Sequence, residues 1–264
     1  MRLTVFTGNQ PRHLSLVESL AAFARHVFAV QECRTVFPGR LDDAFRKSEA
    51  MQEYFSRAAA AEEEIFGRLR FLPRNVNQLA VRRGDLNLID VDDLGPALAS
   101  DAFVVCGAGP VEGPLADLLI ERGAVHVRMG TSPYYRGDLC NFWALRDGRP
   151  EYVGATVHRL SKGADSGPIL FHALPEARPM DSFALDMEAV RAAHIGIVHY
   201  LDNGEIMRMD AIPQDRGQEI RASRREDFTD EVAREYLRRL PSARKIGQAL
   251  GDRDESRFVR PFIG

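Results

Sequence analysis

The sequence predicts an α/β fold in which a mostly parallel, twisted sheet carries helices on both faces and ends in a small C-terminal extension. Three observations lead there. Short apolar runs at 27–30, 102–106 and 124–127 have the length and character of strands buried on both sides. Stretches with helical spacing alternate with those runs, which is the pattern of a parallel sheet covered on both faces. Glycine-bearing turns, Gly8-Asn9-Gln10-Pro11 and Gly107-Ala108-Gly109-Pro110, follow strand-like runs, and the loops beyond strand ends are where such sheets bind ligands.

Residues 2–7 are rich in β-formers and read as the first strand. After the turn at 8–11, Leu14, Leu16, Val17 and Leu20 recur at helical spacing. Residues 27–30 form a second strand, and 41–72, with strong helix formers and no proline, one long or broken helix. Residues 86–89 and 102–106 read as short strands, and 115–121 as a helix that feeds a strand at 124–127. Residues 153–160 alternate as an antiparallel or edge strand does, and 168–172 are another short strand. A long helix at 182–200 bears Leu185, Val190, Ile195 and Val198, and 205–209 resembles a strand after the turn Asp202-Asn203-Gly204. The main domain is expected to close near residue 212. Residues 213–264 then form a highly charged extension with one helix at 230–240, announced by the capping signal Thr229-Asp230-Glu231.

At 264 residues the chain can bury one sizeable core with an appendage. No apolar run approaches the roughly 20 residues of a membrane helix. The apolar start of the chain stops at Gly8-Asn9, short of a secretory signal. Cys33, Cys106 and Cys140 are odd in number and lack metal-ligand spacing, which suits a reducing, cytoplasmic setting. Thirty-five basic against 38 acidic residues, net −3, provide no field for a polyanion, so nucleic acid is not an expected partner. His13, His26, His172, His194 and His199 form no ligand pattern; the last two are five apart, and no metal is expected.

The stretch richest in chemistry runs His126-Val127-Arg128-Met129-Gly130-Thr131-Ser132-Pro133-Tyr134-Tyr135-Arg136-Gly137, followed by Trp143-Ala144-Leu145. Then come Gly154-Ala155-Thr156-Val157-His158 and Asp165-Ser166-Gly167-Pro168-Ile169-Leu170. In these blocks, over about 102–171, the chain resembles the folate-dependent formyltransferases, whose pattern is Asn-x-His, Pro-x-Tyr-Arg-Gly, Trp-Ala, Thr-Val-His and Asp-x-Gly. The resemblance implies a Rossmann-like formyltransferase fold. It also implies 10-formyltetrahydrofolate as co-substrate and His126, Arg128 and Asp165 at the catalytic positions. The family places asparagine where this chain has His126 and histidine where it has Arg128; the aspartate is kept.

Formyl transfer to an amine builds negative charge on the carbonyl oxygen and positive charge on the attacking nitrogen, so a site needs a donor and a base. Arg128 offers a permanently charged planar fork and no proton acceptor. His126 offers an imidazole that ordinarily titrates near neutrality, which Asp165 can orient unless it pairs with Arg128. The alternative is that these residues line an anion pocket in which Arg128 and Asp165 pair across the cleft.

The resemblance further implies a cofactor cleft formed by Gly107, Ala108, Gly163, Ala164 and Asp165, with the backbone of 163–167 against a flat pterin; a plain turn has the same sequence. The amides of Gly107-Ala108-Gly109-Pro110 are positioned to hold an anion. Asn9, Gln10 and Arg12 follow the first strand and either touch the acceptor or cap a helix. His158 either lines the site or is a hydrogen-bonded structural histidine. Arg136 is expected to fix its loop through carbonyl contacts, and Glu62-Glu63-Glu64 and the arginines at 221–225 to be solvated charge, the latter within possible reach of a phosphate.

The expected function is formylation of the amine of a small molecule, either an amino sugar nucleotide or an amino-acid-like precursor, by a chain that can form a homodimer. A transfer-RNA acceptor is disfavoured, because the tail lacks the strands and basic excess of a nucleic-acid-binding barrel. The alternatives are a binding or regulatory protein on the same fold, and an enzyme of altered acyl or one-carbon chemistry.

Overall fold

The computed structural model describes residues 1–34, 47–163 and 166–264. An eight-stranded sheet forms the centre, in the order β10-β8-β7-β5-β4-β1-β2-β3. Its strands are β1 (Arg2–Gly8), β2 (His26–Cys33), β3 (Val76–Arg82), β4 (Ala102–Cys106), β5 (Val125–Met129), β7 (Ala155–Arg159), β8 (Ile169–Leu174) and β10 (Phe262–Ile263). A separate parallel pair joins β6 (Tyr135–Gly137) to β9 (Arg221–Ser223). From β3 to β5 every neighbour is parallel; β7 then runs antiparallel to both β5 and β8.

The helices are α1 (Pro11–Phe23), α2 (Glu49–Phe66), α3 (Gly95–Leu98), α4 (Gly113–Glu121), α5 (Cys140–Arg146), α6 (Ser182–Asp202), α7 (Asp230–Arg238) and α8 (Ala243–Gly251). Strand alternation sorts the apolar side chains between the two faces. Leu3, Val5, Val104, Val125, Val127, Ala155 and Val157 share a core with Leu16 and Leu20 of α1 and Ala193 and Ile197 of α6. Phe6, Phe103 and Val105 point the other way, onto Leu115 and Leu119 of α4. The chain departs from β1 to one side through β2 and β3 and returns to its other side at β4. The strand order therefore reverses between β1 and β4, at Gly8 and Gly107.

Some expectations are corrected. Residues 86–89 and 205–209 are short 3₁₀ turns over Leu86–Leu88 and Glu205–Met207 rather than strands; each buries one apolar side chain, Leu86 or Ile206, and leaves a second, Leu88 or Met207, exposed. The helix expected over 41–72 is described as α2, capped at Ser48 and ended at Gly67, with 41–46 outside the described residues. The C-terminal extension holds two helices, α7 and α8, each started by a serine or threonine side chain that accepts a backbone N–H. Tyr236, Ile246, Leu250 and Phe258 from it share a buried aromatic cluster with Trp143, Tyr135 and Tyr54. Among the described residues no helix is long and apolar enough to cross a membrane.

Candidate active site

The two-residue period of β5 builds the site. Val125 and Val127 go into the core beneath α1 and α6, so His126 and Arg128 stand on the opposite face. Antiparallel β7 sets His158 directly across from His126 and Thr156 across from Arg128. The two imidazoles meet edge to face, with centroids 4.8 Å apart. His158 Nδ1 lies 2.8 Å from the carbonyl oxygen of Arg159, which makes it the protonated nitrogen. Nε2 therefore carries the lone pair; it is buried and has no hydrogen-bond partner among the described residues. Gly167 closes over this ring, since a Cβ there would lie 2.6 Å from His158 Nδ1.

Burial keeps both imidazoles neutral. His126 is pushed down to about 3 by burial first, then by its neighbours His158 and Arg128. His158 is lowered to about 4, again by burial, with the Arg159 carbonyl pulling the other way. Arg128 donates from Nη2 to the carbonyl of Gly137 and lies 3.4 Å from Cys140 Sγ. Burial raises the Cys140 thiol, so the sulfur beside the guanidinium is protonated.

Thr156 ties the strand pair to the loop after β5. Its Oγ1 accepts from Ser132 N at 2.8 Å and donates to Gly130 O at 2.7 Å. His172 Nε2 donates to Ser132 O at 2.7 Å, and Val259 N donates to His172 Nδ1 at 2.9 Å. His172 is thus a buried neutral link from the chain's end to this loop, and burial holds it near 4.

The loops after β1 and β4 close on His13. Its ring fills the space above Gly8 and Gly107: a Cβ on Gly8 would lie 2.5 Å from Nδ1, and Gly107, at φ +78°, has no room for one. Gln10 N donates to His13 Nδ1 at 3.3 Å, so Gln10 and His13 start α1. Asn9 is buried at the end of β1. Arg12 ties the start of α1 to α2: its amide and its Nη1 donate to the two oxygens of Glu62, at 3.0 and 2.6 Å. This corrects one expectation, a solvated Glu62, which is buried.

At 107–110 one amide of the expected anion site is already engaged. Glu32, 3% exposed at the end of β2, accepts from Gly109 N with one oxygen and from Gly84 N, at 2.9 Å, with the other. The chain's own carboxylate takes that amide. Ala108 packs against the apolar cluster of α4. Gly163 is exposed with φ +98°. Ala164 and Asp165 lie outside the described residues.

Two arginines complete the site's frame with partners other than those expected. Arg136 pairs with Glu219 at 3.3 Å, rather than with backbone carbonyls. Arg221, rather than being solvated, donates to both oxygens of Asp147 at 2.7 and 2.9 Å and lies 4.1 Å over the Trp143 ring. Thr156 and His172 were legible only as strand residues, Cys140 only as a cysteine and Ser223 not at all, since the partners of Thr156, His172 and Ser223 lie 24 or more residues away.

No family model matches the sequence. A methionyl-tRNA formyltransferase from Synechococcus sp. (strain JA-3-3Ab) is 31% identical over 120 residues, 45% of this chain and 37% of that protein. The match therefore spans little more than a third of that relative's length. A 4-N formyltransferase from Francisella tularensis has the same fold at TM-score 0.52 and 16% identity, over 86% of this chain and 77% of that one. An N-formyltransferase from Helicobacter canadensis, solved with folinic acid and dTDP-3-aminofucose, matches at TM-score 0.51 and 11% identity, over 87% and 73%.

Proposed function

Taking the chain as a member of the formyltransferase family, to which its sequence and fold relate it, we propose that it moves a formyl group from 10-formyltetrahydrofolate to the amine of a small molecule. The observation that carries this is the single polar face at the end of β5, where His126 pairs with His158 and Arg128 with Thr156. It offers a fixed cation beside neutral imidazoles, the equipment for an oxyanion and a proton in transit. An amino sugar is the acceptor class we favour, since the Helicobacter canadensis enzyme of the same fold was solved with one.

Attack of the amine nitrogen on the formyl carbon forms a C–N bond and moves the carbonyl π pair onto oxygen. Arg128 stabilises that oxyanion. The attacking nitrogen becomes acidic as the bond forms and gives its proton to neutral His126. An imidazolium made so acidic by burial passes the proton on to the departing folate nitrogen, and the C–N bond to the donor breaks as the carbonyl re-forms. His126 acts in this scheme as a relay. Asp165 is assigned to orienting it, and His158, with its buried lone pair, to lining the acceptor side.

The test incubates purified protein with 10-formyltetrahydrofolate and a panel of amines and follows release of tetrahydrofolate. Turnover is expected with an amino sugar, and Arg128→Ala is expected to lower kcat by about 10²–10³-fold, the usual loss for one oxyanion donor. Donor binding by calorimetry without turnover for any amine would leave a binding protein in place of the enzyme.

A further inference from the structure

The catalytic role of Arg128 rests on the function proposed above; what holds Arg128 is a matter of geometry. Its guanidinium donates to the carbonyl of Gly137. Gly137 is itself held from far along the chain, by Ser223 of β9. With φ at +86°, a Cβ on Gly137 would run into the Ser223 carbonyl. Ser223 Oγ lies 3.1 Å from Arg136 O and 2.6 Å from Asp138 O, bracketing Gly137 on both sides, and Asp138 N donates to Ser223 O at 3.0 Å. Ser223 is 5% exposed.

We propose that Ser223 is a positioning residue for Arg128: by clamping the peptides on either side of Gly137, it fixes the carbonyl that aims the guanidinium at the reacting face. A hydroxyl has one proton, so at any moment one of the two carbonyls receives it. The shorter contact, to Asp138 O, assigns it there, with Arg136 O taking a share through rotation. Asp138 N and Ser223 O form the second, backbone tie, which a side-chain substitution leaves in place. Ser223→Ala therefore loosens the clamp without removing β9.

The experiment compares wild type, Ser223→Ala and Ser223→Cys on the full chain. A thiol is a weaker donor and a larger group that cannot hold the hydroxyl's 2.6 Å contact, so the cysteine variant loosens the same clamp by a different route if alanine fails to fold. Two readouts are taken. The first is kcat and KM in the formyl-transfer assay: kcat is expected to fall about tenfold with KM within about twofold, since a misaimed group costs transition-state rather than ground-state binding. The second is the rate at which phenylglyoxal modifies Arg128, followed by peptide mass spectrometry, which is expected to rise at least about threefold as the Gly137 carbonyl that receives the guanidinium loosens. Unchanged Arg128 modification in a folded variant overturns the proposal. Absence of turnover in wild type defeats the proposed function instead, and the modification rate still decides the role of Ser223.

Discussion

At the level of single residues, His126 and Arg128 follow from a count of two along a strand. Once 124–127 reads as a strand with valines inward, positions 126 and 128 must share the other face, and the sequence alone allowed that inference. What it did not allow was the environment. An imidazole is expected to titrate near neutrality, yet burial and the neighbouring His158 and Arg128 bring His126 down to about 3. The depressed value sets a kinetic prediction: the acid limb of kcat/KM follows the titration of the acceptor amine, which must be unprotonated to attack, and protonation of His126 adds no second limb near pH 6.5. A limb at pH 6 to 7 that vanishes in His126→Ala would show an unperturbed base and sink the relay. Glu62 was illegible for a related reason. In sequence it is one of three consecutive glutamates, and only the fold, 50 residues from Arg12, selects it as the buried partner.

At the level of elements, the strands with a continuous apolar run were legible and the polar ones were not. β3, Val-Asn-Gln-Leu-Ala-Val-Arg, is an edge strand with most of its residues exposed, so no apolar period marks it. β9 is three residues, Arg-Ala-Ser, and nothing in so short a polar segment announces a partner at 135–137. The start of α1 shows the same dependence on distant partners. Its second amide is satisfied by Glu62 on α2, which also takes the Arg12 guanidinium. Glu62→Ala removes both acceptors. Because Arg12 is about a third exposed, water replaces part of what is lost, and a cost of about 1–3 kcal/mol is expected. Urea denaturation measures it, and a change below the error of the extrapolation would show that α1 does not need this cap.

At the level of the whole molecule, burial of histidines links stability to pH. His13, His126, His158, His172 and His194 are all held below the ordinary 6.5, chiefly by burial. The unfolded chain therefore binds protons that the folded chain refuses, between pH 6.5 and the folded values near 3 to 4. Their contribution is complete above about 6.5 and is lost progressively as pH falls below it. Asp186, raised by burial, works weakly in the other direction at lower pH. A thermal melt at pH 5 is expected well below that at pH 7; a melting temperature flat across this interval would contradict the burial of these rings. The parallel order of the sheet was legible from alternating strands and helices, whereas the return of residues 213–264 onto the core was not, because charge dominates that stretch and its few aromatic side chains meet partners more than 50 residues away. That return has a consequence for biosynthesis. A ribosome delivers β1 to β8 first, yet the loop carrying Gly137 acquires Ser223 only when β9 has emerged, and Ser132 acquires its full tether through His172 only with Val259. Seven of the eight strands of the sheet can thus pair before β9 emerges, while the loop around Gly137 is completed only afterwards.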